Sequence, residues 1–137
     1  MQLVPYIHFK GNAEEVLNFY KEALGGEILM INRYGESPMQ VGEEMKDKIV
    51  HSRLQFGDNL LMISDSYNGQ MANPGGNIQL SLGFTDEAKA TEVFNNLSQG
   101  GTVTMALAKQ FWGAMFGMLQ DKFGTNWMVN CEVKKAE

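Results

Sequence analysis

Apolar and polar positions alternate almost from the start of the chain. In "LVPYIHF", Pro5, Ile7 and Phe9 interleave with Tyr6, His8 and Lys10, which predicts a strand whose two faces differ in chemistry. The period then lengthens. In "GNAEEVLNFYKEALGGE", Ala13, Val16, Leu17, Tyr20 and Leu24 form an apolar stripe at helical spacing. Asn12 stands at the N-cap position of that helix, and Glu15 completes a capping-box pattern. Gly25 suits the left-handed residue that ends a helix. "GEILMINRYG" reads as a strand, and "ESPMQVGEEMKDK" as a polar loop with room for a helical turn. "IVHSRLQFGDNLLMIS" reads as two strands joined at Gly57-Asp58-Asn59, a hairpin signal. "DSYNGQMANPGGN" is rich in Gly, Asn and Pro and reads as a connector.

The second half repeats this order. "NIQLSLGF" reads as a strand, and "TDEAKATEVFNNLSQGG" as a helix with Ala90, Val93, Phe94 and Leu97 on one face. "TVTMALA", "AMFGMLQD" and "TNWMVNCEV" read as strands, the last two joined by a turn over residues 121–126 that Gly124 permits. Each half is therefore β-α-β-β-β. Phe9, Ala13, Phe19, Gly25 and Gly26 recur at one constant offset as Phe84, Ala88, Phe94, Gly100 and Gly101. "FGDN" at Phe56–Asn59 recurs as "FGTN" at Phe123–Asn126, at a different offset, and the helical stripes match best at a third. Small insertions have blurred a duplication. Two copies are too few for a solenoid. They predict one α+β domain: module one over 1–66, a connector over 67–76 and module two over 77–137.

Composition narrows the partners. The chain has 137 residues, enough for one domain with its own core. A formal charge of −5 without any long Lys/Arg run argues against nucleic acid and anionic membrane. No stretch of about 18 apolar residues suggests a membrane span, and "MQLVPYIHFKG" lacks the regions of a signal peptide. Cys131 is the lone cysteine, so no internal disulfide forms, which suits a reducing cytoplasm. The ten methionines read as adaptable packing or as the lining of an apolar pocket. The Gly-Gly pairs lack Rossmann or Walker spacing, and no glycine-rich loop after a strand supports a nucleotide-dependent methyltransferase.

Three separated segments, "PYIHFKGNAEEVLNFYKEALGGE", "GDNLLMISD" and "FW…FG…DKFGTNWMVN", resemble the vicinal oxygen chelate superfamily. This is the glyoxalase, bleomycin resistance protein and extradiol dioxygenase fold, and the likeness is to its PhnB-like branch, over essentially the whole chain. The resemblance implies a curved, open half-barrel of mixed sheet with helices outside, and a homodimer. Where such proteins carry a metal, it sits on the concave side among His, Gln and Glu side chains.

Strand parity then selects candidates. Residues opposite the helix-packed face are Tyr6 and His8, His51 and Arg53, Gln79 and Ser81, and Met128 and Asn130. Taking the fourth residue after Gly57 and Gly124 as the family's ligand position selects Leu61 and Met128. With Tyr6 and Gln79, these make a poor donor set: leucine cannot ligate, and a thioether suits soft copper rather than zinc or magnesium. Gly113 and Ala114 stand where relatives often carry a histidine after the Phe-Trp pair. No metal and no cofactor is expected. His8 reads as a cavity histidine or a ligand, and His51 as a strand-end histidine or a polar contact. Arg53 reads as an anion clamp or half of a surface ion pair. Gln79 and Ser81 would orient a ligand or satisfy each other. Phe111 and Trp112 would form a lid, a cavity wall or packing. The leading expectation is a small-molecule-binding protein without a competent metal site. The alternative is a divalent-metal-dependent lyase or dioxygenase acting on a small oxygen-rich substrate.

Overall fold

The computed structural model describes residues 2–66, 78–110 and 113–132. The chain divides into two compact units, Met1–Asn73 and Pro74–Glu137. The predicted connector over 67–76 and the aromatic pair Phe111 and Trp112 lie outside the described residues.

Unit one runs β1 (Tyr6–Phe9), α1 (Ala13–Leu24), β2 (Glu27–Arg33), β3 (Ile49–Phe56) and β4 (Asn59–Asp65), with short 3-10 turns at Tyr34–Glu36 and Glu43–Met45. Unit two runs β5 (Leu80–Phe84), α2 (Glu87–Ser98), β6 (Thr102–Lys109), β7 (Ala114–Gln120) and β8 (Asn126–Glu132). The fold is α+β, built of two βαβββ modules. The sheets have the orders β1-β4-β3-β2 and β5-β8-β7-β6, each open at both edges. β1 lies parallel to β4 and β5 parallel to β8, and the other pairs are antiparallel. A parallel pair needs a long crossover, and the helix and two intervening strands supply it.

One face of each sheet packs against its own helix. In module one Ala13, Val16, Leu17, Tyr20, Ala23 and Leu24 of α1 are buried, along with Leu54, Leu61 and Ile63 of the sheet. In module two Ala90, Val93, Phe94 and Leu97 are buried with Leu119, Trp127, Val129 and Cys131. The stripes read from the sequence are therefore the core faces. Gly25 ends α1 at φ 67°, a left-handed conformation that glycine adopts without a Cβ penalty.

The start of α1 departs from expectation. Asn12 holds the N-cap position, but its side chain makes no capping bond. Asp65, at the end of β4, replaces it: Oδ1 accepts from the Ala13 backbone N–H at 2.9 Å. Its Oδ2 accepts from the Ile49 N–H at 2.9 Å, and the Tyr34 hydroxyl donates to its carbonyl at 2.7 Å. A carboxylate 1 % exposed thus ties the first turn of α1 to the start of β3. In α2 the cap is local, with Asp86 accepting from Ala88 N–H and Lys89 N–H. Module two has its own buried carboxylate, Asp121, in the β7–β8 turn. It accepts from the Phe123 and Thr125 backbone N–H groups and from the Trp127 indole N–H at 2.9 Å.

Candidate functional site

Strand pairing defines the sheet face turned away from each helix. In module one, Tyr6 of β1 pairs with Met62 of β4, Met62 with Arg53 of β3, and Arg53 with Met30 of β2. These four make one row across the sheet. His8 and Ser64 pair one step further along, and His51 pairs with Asn32. In module two the corresponding row is Ser81, Met128, Met118 and Met105, and the next step carries Gly83, Asn130 and Phe116.

The rows correct the family position chosen from glycine spacing. Leu61 lies on the helix side, 2 % exposed, and Met62 takes its place on the open face. Met128 is on the open face as expected. The turns explain the difference. β3 and β4 are joined by two residues, 57–58, whereas β7 and β8 are joined by five, 121–125. The match of "FGDN" to "FGTN" is thus one residue out of step with the sheets. The same pairing makes Ser81, not Gln79, the counterpart of Tyr6. Gln79 precedes β5, and its amide N–H reaches the Met118 sulfur at 3.9 Å.

The predicted residues of module one come together. The Tyr6 and His8 rings stack with centroids 4.5 Å apart and planes 18° apart. His8 Nδ1 lies 2.8 Å from the Ser64 hydroxyl oxygen. The Tyr6 hydroxyl is 3.0 Å from His51 Nδ1, and Arg53 donates through Nε–H to His51 Nε2 at 3.4 Å. His51 and Arg53 stand two positions apart on one strand, so the pleat turns them to the same side. Burial lowers the pKa of His8 below 6.5. Burial does the same to His51, and the Arg53 charge adds to it. Both rings are neutral in mildly alkaline solution.

Two arginines show how unusual Arg53 is. Arg33 is held bidentately by Glu14, at 3.0 and 2.8 Å, and also donates to the Asp47 carbonyl. That bond lowers the Glu14 pKa. Arg53 is exposed, and among the described residues it has no carboxylate partner. Its terminal NH2 groups make no hydrogen bond among the described residues, while Nε donates to His51.

Module two carries neutral chemistry at the same register. Met105, Met118 and Met128 lie side by side on three strands, flanked by Ser81 and Phe116. Cys131, the lone cysteine, is buried beneath α2. Burial raises its pKa, and the charges of Glu87, Asp86 and Glu132 add to the shift. Trp112 lies outside the described residues. Among the described residues no group of three or more His, Cys, Asp and Glu is placed to hold a metal ion. The open face of module one offers two imidazoles, His8 and His51, but no third His, Cys, Asp or Glu is grouped with them among the described residues, short of the three protein ligands of a catalytic zinc site.

Asp65, Asp121, Met62 and Ser64 escaped the sequence reading. The two aspartates follow strands at a connector and at a turn, where acidic residues look solvated. Met62 and Ser64 lie in "NLLMIS", whose two faces are both apolar, so alternation alone leaves them unassigned.

The sequence profile of the family described as 3-demethylubiquinone-9 3-methyltransferase matches residues 1–130. Protein YjdN of Escherichia coli is 30% identical over 95% of each chain. Protein PA1353 of Pseudomonas aeruginosa, a crystal structure, is 41% identical, with a TM-score of 0.87 over 96% of this chain and 98% of that one. A structure from Bacillus cereus titled a putative 3-demethylubiquinone-9 3-methyltransferase, PhnB protein, is 26% identical with a TM-score of 0.78 over 96% and 99%. A glyoxalase-related enzyme from Fulvimarina pelagi shares the fold at 18% identity, with a TM-score of 0.65 over 96% and 89%. The protein thus has the fold of the glyoxalase, bleomycin resistance protein and dioxygenase class. It belongs to the family that the profile describes, the PhnB-like branch of the vicinal oxygen chelate superfamily. No helix of the described residues is long and apolar enough to cross a membrane.

Proposed function

We propose that the protein binds a small oxygen-bearing molecule on the open sheet face of module one, over Tyr6, His8, His51 and Arg53. The observation that carries this reading is Arg53: an exposed guanidinium whose terminal donors have no acceptor among the described residues, set beside a stacked Tyr6–His8 pair. A fork of unused donors next to an aromatic surface suits a ligand with both oxygen and apolar parts. Gln79, Ser81, Met128 and Asn130 are candidate ligand contacts of module two in its own right, whose open face is neutral and suited to apolar groups. Trp112 remains a candidate wall residue.

Binding without metal catalysis is favoured because among the described residues no third His, Cys, Asp or Glu is grouped with His8 and His51, short of the three protein ligands of a catalytic zinc site. Methyl transfer, the activity in the family's description, needs a seat for a methyl donor, and the sequence has no G-x-G-x-x-G turn between a strand and a helix to cradle a nucleoside-bearing one. The test is a thermal-shift screen against a panel of carboxylates, phosphates, phenols and neutral amphiphiles, repeated with Arg53→Ala. At a ligand concentration of about 100 times Kd, binding stabilises by roughly 2.7 kcal/mol, and Arg53→Ala should abolish the shift. No shift with any compound would sink the reading.

A further inference from the structure

The hydrogen-bond chain through His51 determines a direction. Arg53 can only donate, so His51 Nε2, 3.4 Å from Arg53 Nε, must accept. A neutral imidazole that accepts at Nε2 carries its proton on Nδ1. Nδ1 lies 3.0 Å from the Tyr6 oxygen, so the ring donates and the phenol oxygen accepts. The Tyr6 O–H proton is then left to point elsewhere. The stacked His8 ring does not take it in its plane, because the two rings lie nearly parallel, face to face.

We infer that Arg53 and His51 together set Tyr6 as an outward hydrogen-bond donor, so that Tyr6 O–H and the terminal N–H groups of Arg53 form one donor-only subsite for a carboxylate or similar planar oxyanion. This inference rests on the binding reading above and names its ligand class. Two donors from one row of the sheet face, on β1 and β3 with Met62 of β4 between them, match an anion that only accepts. An ammonium group there faces the Arg53 charge and, among the described residues, no carboxylate in the row that holds Tyr6 and Arg53. The one acidic side chain on this face at β2, Glu27, pairs with Gln55, further along β3 than Arg53. His51 acts as a positioning residue in this subsite: it controls which way the phenol proton turns.

Two measurements separate this inference from the broader reading. The first needs no ligand. Long-range proton–nitrogen NMR of the intact protein at pH 8 should show His51 with a pyrrole-type Nδ1 and a pyridine-type Nε2, the tautomer disfavoured for free histidine. Arg53→Ala should return His51 to the ordinary mixture while His8 stays as it was. An Nε2–H ring in the unmodified protein would overturn the inference and leave the binding reading to its own screen. The second uses benzoate, benzamide and benzylamine as probes of matched shape. Benzoate should bind roughly tenfold tighter than benzamide and benzylamine should not bind, with Tyr6→Phe costing benzoate roughly tenfold, the scale of one charge-assisted hydrogen bond. Equal binding of benzoate and benzylamine, or no benzoate binding with His51 in the expected tautomer, would overturn the donor-only subsite.

Discussion

The two modules share topology and strand pairing, yet their open faces have diverged wherever module one carries a phenol, an imidazole or a guanidinium, while Met62 and Met30 are matched by Met128 and Met105. Reading across the sheet, module one presents Tyr6, Met62, Arg53 and Met30, and module two presents Ser81, Met128, Met118 and Met105. His8 and His51 are answered by Gly83 and Phe116. The helix-packed faces kept their character: Ala13, Val16, Leu17 and Tyr20 correspond to Ala90, Val93, Phe94 and Leu97. Close packing punishes a lost or added methylene on the inner face, whereas an open face tolerates exchange. A duplicated unit can thus hold its core constant while one copy becomes polar and titratable and the other neutral and sulfur-rich.

The strongest way to break this comparison is at the buried carboxylates. Asp65→Ala leaves the Ala13 and Ile49 N–H groups buried without their acceptor, at roughly 1–3 kcal/mol each. Urea denaturation should show a loss of about 2–5 kcal/mol. Asp121→Ala should cost a similar amount, because it strands the Trp127 indole N–H in the core. A loss under about 1 kcal/mol in either variant would mean that the two anchors are not equivalent.

Gly117 offers a smaller effect that should be confined to module two. A Cβ there would meet the Phe94 ring at 2.8 Å and the Leu107 Cα at 2.9 Å. Its counterpart in module one is Ser52, which is fully buried and donates to the Ile63 carbonyl. Gly117→Ala should cost about 1–3 kcal/mol by overpacking, and Phe94→Leu, the residue type at the matching stripe position Leu17, should recover part of that. If the double variant is no more stable than the single one, the Leu107 backbone rather than the ring sets the limit.

The arginines sharpen the comparison within module one. Arg33→Ala removes a partly exposed ion pair and should cost about 0–1 kcal/mol, with ligand shifts unchanged. Arg53→Ala should leave the denaturation midpoint nearly untouched and abolish the ligand shift. The reverse pattern would move the site to Arg33.

The smallest effect is one of pH. A histidine held below 6.5 when folded takes up its proton at lower pH than in the unfolded chain. Stability is therefore intact above about pH 6.5 and falls as pH drops below it, because the unfolded state then binds more protons. NMR titration should place both midpoints below 6.5, with His51 moving upward in Arg53→Ala as the nearby charge is removed. A His51 midpoint unmoved by that substitution would remove Arg53 from its surroundings. Module two contributes no histidine to this window.

The sequence alone determined the order of elements, the helical stripes, the duplication and the membership of Tyr6, His8, His51 and Arg53 on one strand face. These are local properties: period, turn residues and parity are carried by neighbours along the chain. The tertiary structure decided what local pattern leaves open. It put Leu61 inward and Met62 outward, because a two-residue turn and a five-residue turn set different registers from similar glycine motifs. It gave the cap of α1 to Asp65 instead of Asn12, since a strand end distant in sequence reaches that first turn. It also joined Tyr6 to His51 across 45 positions, leaving Arg53 to orient the ring between them. Pairing between distant strands fixes such contacts, and no window of the chain contains both partners.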